Sequence, residues 1–168
     1  LPAAHDNGVV LETQNLSEAV QFKISRPANK PVEYPYVYVV AQMQQQLLYR
    51  ARASLQSTNV IGGAIPTANI PSGIMQITLF DMQYRPLAER IVFVNKDDYY
   101  FITDLNSAVK DLGKRGKNVI QIDVPDTIPC NLSVSVTDDE INPANPSEGD
   151  IFSGLMLSGD IRGYVHHP

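Results

Sequence analysis

The chain is poor in the residues that staple small domains or build metal centres: one cysteine, three histidines and no tryptophan in 168 residues. A single thiol, Cys130, cannot close an intramolecular disulfide, and so few histidines make a thin ligand set for zinc. The lone cysteine does not settle the compartment, since periplasmic proteins can lack disulfides and cytosolic ones usually carry more free thiols. No stretch approaches the ~20 apolar residues of a membrane-spanning helix. The opening Leu1-Pro2-Ala3-Ala4-His5 lacks a basic segment followed by an apolar core, so a mature product or excised fragment is expected. Basic residues are scattered too. Lys110, Lys114, Arg115 and Lys117 are their densest run in a chain of net charge −5, so a surface that tracks phosphates, and with it a nucleic-acid partner, is not expected.

What is present is a globular composition, 43% hydrophobic and 18% charged. The length suits one large β-domain or two small ones, domains commonly running ~100–150 residues. Helical periodicity is scarce, whereas apolar–polar alternation recurs between clusters of Pro, Gly, Asn and Asp, which predicts an all-β antiparallel sandwich. Val20, Phe22 and Ile24 alternate with Gln21 and Lys23, placing three apolar side chains on one face of a strand. The run Tyr36–Val40, a turn at Gln42-Met43-Gln44-Gln45 and the alternating Leu47, Tyr49, Ala51 and Ala53 predict a long hairpin.

Residues 65–73 hold two prolines and a glycine, and read as an extended edge or crossover because proline lacks the amide a ladder needs. Strands Ile74–Phe80 and Leu87–Val94 are expected around a turn at Asp81–Pro86, closing a first module near Asn95. Beyond it, the loop Asp111–Lys117 has two glycines for a tight reversal. Strands are then expected at Val119–Val124 and Leu132–Val136, as sequential neighbours. Asp150 is placed to cap a short helix over Ile151–Leu157. The domain division expected is 1–96 for a β-sandwich and 97–168 for a second, smaller one.

Chemistry-bearing residues each have a plainer reading. Cys130 could act as a nucleophile with His5, His166 or His167 as base, but the histidines sit at the chain ends, so a packed structural thiol is preferred. Asp138, Asp139, Glu140 and Asn142 offer oxygen ligands suited to calcium, yet miss the EF-hand spacing, so a solvated turn is preferred. Adjacent His166 and His167 would point oppositely on a strand. No Gly-rich phosphate loop, Gly-x-Ser-x-Gly elbow or His-Glu-x-x-His helix occurs. No catalytic residue, metal site or cofactor is therefore expected. Tyr34, Tyr36 and Tyr38 lie two apart and would share a strand face, making either an interaction surface that stacks on sugar rings or a partner, or a core-facing aromatic row. The core-facing row is preferred, because Val37 and Val39 make the opposite face apolar as well.

Four stretches carry a resemblance: Ile65–Asp81, Arg85–Asn95, Asn131–Asp138 and Leu155–Val165. Together they resemble the macroglobulin-like (MG2-type) modules of large exported Bacteroidetes proteins, often associated with TonB-dependent receptors and carboxypeptidase-regulatory-like domains. The resemblance implies immunoglobulin-like β-sandwiches strung in series, in which Gly73, Asp81 and Pro86 are fold residues. It further implies a non-enzymatic role in an exported, periplasmic or cell-surface, outer-membrane-associated protein. The partners implied are proteins, either an outer-membrane receptor or other modules of the same chain. The thioester motif Cys-Gly-Glu-Gln of complete α2-macroglobulins is missing, since Cys130 sits in Ile-Pro-Cys-Asn, so covalent trapping does not carry over. A glycan-binding or adhesive module is the alternative, with the tyrosines as its platform.

Overall fold

The computed structural model describes residues 7–99, 103–111, 113–124, 129, 131–136, 149–159 and 161. It divides into two compact units, Leu1–Asp98 with Ser147–Pro168, and Tyr99–Pro146. The short C-terminal helix thus belongs with the first unit.

The first unit is two antiparallel sheets packed face to face. Strands β1 (Val10–Asn15), β2 (Ala19–Ser25) and β5 (Val60–Pro66) form one, in the order β1-β2-β5. Strands β3 (Tyr36–Met43), β4 (Gln46–Ser54), β6 (Gly73–Phe80) and β7 (Pro86–Val94) form the other, in the order β4-β3-β6-β7. Alternation decides what lies between them. Leu11, Val20, Phe22, Ile24 and Ile65 point inward from the first sheet, and Val37, Val39, Ala41, Met75, Ile77 and Leu79 from the second, all in one buried cluster. Phe22 also meets Tyr49 of the facing sheet, ring centroids 6.2 Å apart. The inward direction expected for Val20, Phe22 and Ile24 is the one observed.

Two turns set the register of the larger sheet. Gln44 and Gln45 both have left-handed backbone, φ 48° and 64°, which is the mirror-type two-residue hairpin that matches strand twist. The reversal is tighter than the expected four-residue turn, and Gln42 and Met43 belong to β3, with Met43 buried. At the other turn Asp81 is buried and accepts from the amides of Gln83 and Arg85, both at 2.8 Å, and from the Arg85 guanidinium at 2.6 Å. Burial pushes its carboxyl up, but those three donors outweigh burial and hold it below the usual aspartate value. Asp81 thus bonds the amides of its own turn. Gly73 has φ +154°, a backbone conformation that residues with side chains rarely adopt.

The crossover reading of residues 65–73 holds in part. Ile65 and Pro66 end β5, an edge strand, as proline permits. Ser72 then fastens the crossover: its amide donates to the Asp98 carboxylate at 3.2 Å and its Oγ accepts from the Lys96 amide at 2.8 Å. The Ser72 hydroxyl and then burial are the largest influences on Asp98, and the hydrogen bonds prevail, keeping its carboxyl low. The C-terminal helix α1 (Ile151–Ser153) starts as expected. Asp150 and Ser153 form a reciprocal capping box, and a π-helical turn, Gly154–Ser158, follows.

In the second unit β8 (Asp104–Val109) pairs antiparallel with β9 (Val119–Asp123). The reversal between them exists, but its left-handed residue is Arg115, φ 61°, not a glycine. Gly116 is required for space, since a β-carbon would lie 2.5 Å from the Asp111 side chain. Val119–Val124 was expected to pair with Leu132–Val136; instead β9 pairs with β8, and residues 131–136 form no strand. Leu132, Val134 and Val136 are exposed, so their alternation has no sheet to lie against.

The Gln44–Gln45 turn makes a direct prediction. Glutamine has no special tolerance of left-handed backbone, whereas Asn-Gly does. Replacing Gln44 and Gln45 by Asn and Gly stabilises the chain by about 1–2 kcal/mol in urea denaturation; an unchanged or lower stability contradicts the observed turn.

Candidate functional site

The outer face of the four-stranded sheet follows from the same alternation. With Val37, Val39, Ala41 and Met43 inward, Tyr36, Tyr38, Val40 and Gln42 must point outward. Register then sets their neighbours: Arg52 and Phe80 flank Tyr38, Arg50 and Thr78 flank Val40, and Gln76 lies beside Gln42. On β7, Glu89 stands opposite Thr78 and Ile91 opposite Gln76. Aromatic, aliphatic and arginine side chains therefore cover a face that solvated sandwiches usually leave polar. The outer face of the smaller sheet is the ordinary kind, with Glu12 and Lys23 paired across strands at 2.6 Å.

Contacts within the face are specific. The Tyr38 ring stacks on Tyr84 from the Asp81 turn, centroids 5.3 Å apart and planes 12° from parallel. Tyr84 has left-handed backbone, φ 60°, which is unfavourable for a bulky residue, and it remains 68% exposed. The turn and the stack together hold it there. Beside them the Arg52 guanidinium lies 4.9 Å from the Tyr36 ring centroid, and the Tyr36 hydroxyl donates to Gln56 at 3.0 Å. A polar ladder crosses the other end of the face: Gln42 donates to Gln76, and Gln76 to Glu89 at 2.6 Å. Gln42, Gln76, Glu89, Ile91 and Ile161 line a groove there.

This arrangement corrects the preferred core-facing tyrosine row. The two sheets close over Val37, Val39, Ala41 and Met43, although β3 offers apolar side chains on its other face as well. Tyr34 departs from the row altogether, since it precedes β3 and packs half-buried against the core. A hydrogen bond with Glu33, then burial, raises its phenol above the usual range. Tyr34 and Tyr36 still line one groove, with Asp81 and Arg85. Tyr84, Arg50 and Arg52 were not singled out from sequence. The i, i+2 spacing of the two arginines was visible there, but the tyrosine stack joins residues 46 positions apart and follows only from the fold.

Cys130, His5, His166, His167 and the group Asp138, Asp139, Glu140 and Asn142 lie outside the described residues. Among the described residues no three His, Cys, Asp or Glu side chains come together as a metal site, and no helix is long and apolar enough to cross a membrane.

No family model and no curated protein matches the chain. Among solved structures, a superoxide reductase in its oxidised state aligns with 53% of this chain and 88% of its own, at 13% identity and a TM-score of 0.31. Likeness at that level carries no functional argument, so the surface is read from its own chemistry.

The strained stack at Tyr84 separates two effects. Tyr84→Ala loses the ring contact, worth about 0.5–1.5 kcal/mol, and keeps the left-handed strain, so it is destabilising. Tyr84→Gly loses the same contact but relieves strain of about 1 kcal/mol, so its urea midpoint lies near that of the unsubstituted chain. Equal stability of the two variants contradicts the left-handed turn.

Proposed function

We propose that the chain is a non-enzymatic interaction module of a larger exported, outer-membrane-associated bacterial protein, and that it contacts its partner through the outer face of the β4-β3-β6-β7 sheet. The observation that carries the contact is the stack of the exposed Tyr84 ring on the half-buried Tyr38, beside the Tyr36–Arg52 pair. Tyrosine and arginine are enriched at protein interfaces because each joins a large flat contact area to a polar end. The macroglobulin-like resemblance supports the exported setting and makes a TonB-dependent receptor the expected partner. A glycan-binding module is the second reading, favoured by the same exposed ring of Tyr84, which offers a stacking platform.

The test places a photo-crosslinking residue at Met82, exposed on the turn next to the stack, and a control at Glu12 on the opposite sheet, in the parent protein within its own cells. An adduct with an outer-membrane receptor from position 82 and none from position 12 supports the proposal. Equal adducts, or none from position 82, count against it. For the second reading, binding on a glycan array that Tyr84→Ala abolishes selects sugar as the ligand.

A further inference from the structure

The sheets of the first unit have four edges, and they are not equivalent. β1 and β7 lie against each other, and the Asn15 side chain donates to the Phe93 carbonyl at 2.8 Å. β5 ends in Pro66, which has no amide to offer. β4 is different: nine residues long, at the sheet's end, touching β5 only slightly, with no strand among the described residues pairing with its outer edge. A register shift between Ala41 and Gln42 disturbs the start of β4, and Tyr49–Ser54 beyond it pairs regularly with β3. Such an edge presents alternate amides and carbonyls to any chain laid beside it.

Charge adds direction. Arg50 and Arg52 point to the same outer face and are exposed, and neither has a carboxylate partner among the described residues, in a chain whose net charge is −5. Two residues apart on a strand is about 7 Å, the spacing at which a second extended chain repeats its own side chains. Arg52 is oriented by its contact with Tyr36, with no counter-ion among the described residues.

We propose that the β4 edge takes up an extended segment of a protein partner as an added strand, and that the segment carries Asp or Glu at alternate positions, facing Arg50 and Arg52. This rests on the interaction-module reading and names the partner chemistry for that surface. Backbone hydrogen bonds supply the attachment and the two arginines supply the selection.

The full chain is titrated at low ionic strength with the capped peptide (Thr-Glu)4, and with a peptide of equal composition whose four glutamates are contiguous. Strand addition predicts at least fivefold tighter binding of the alternating peptide and at least tenfold slower amide hydrogen exchange within Tyr49–Ser54. The double variant Arg50→Glu/Arg52→Glu loses that peptide and gains (Thr-Lys)4, which also shows that the variant is folded. Equal binding of the two glutamate peptides, or no slowing within β4, overturns the inference. If β4 fails this test while the Met82 cross-link forms, strand addition alone is wrong; if both fail, the interaction-module reading falls with it.

Discussion

The first unit depends on the register of β3, which like β6 is bonded on both sides within its sheet. Its inward side chains are Val37, Val39, Ala41 and Met43, and its outward ones Tyr36, Tyr38, Val40 and Gln42. Both sets are apolar enough to be buried, so hydrophobicity alone does not choose between them. A slip by one residue exchanges every side chain between core and surface. What selects the observed register is agreement among neighbours. β4 offers the small Ala51 and Ala53 opposite Val39 and Val37, and β6 offers Ile77 and Leu79 opposite Ala41 and Val39. On the other face Arg50 and Arg52 come from β4, and a slip of β3 by one residue would set its valines beside these arginines instead of beside the alanines.

The two turns protect that choice. The Gln44–Gln45 hairpin fixes β3 against β4, and the Asp81 turn fixes β6 against β7. Asp81 does this as an ion: its carboxylate replaces strand partners for two amides and anchors Arg85, which remains exposed. The same turn carries Tyr84 up to Tyr38. One buried aspartate therefore links the integrity of the sheet to the arrangement of aromatic rings on its surface.

Much of the fold was legible in the sequence, because alternation and turn chemistry are local signals. β2, β3, β4, β6 and β7, the Asp81 turn and the Asp150 cap were each readable from a few adjacent residues. Where a segment pairs is not local, and adjacent residues do not reveal it. Leu132–Val136 alternates as well as β2 does, yet forms no strand. The sidedness of the tyrosines was ambiguous for the same reason, since which face of β3 meets the other sheet depends on residues far along the chain. β1, β8 and the Val60–Ala64 part of β5 were not singled out, and the polar Asp104-Leu105-Asn106-Ser107 of β8, exposed throughout, gave little strand signal.

The central claim is that β3 turns its valines to the core and its tyrosines to the surface. The most direct test is a nuclear Overhauser spectrum of the chain with labelled tyrosine rings and valine and leucine methyl groups. The account predicts cross-peaks between the Tyr38 and Tyr84 rings and between the Val39 and Leu79 methyls, with none from the Tyr38 ring to Leu11 or Val20. Cross-peaks from Tyr38 to those core methyls, and none to Tyr84, would mean the opposite register and would remove the surface on which the proposed function rests.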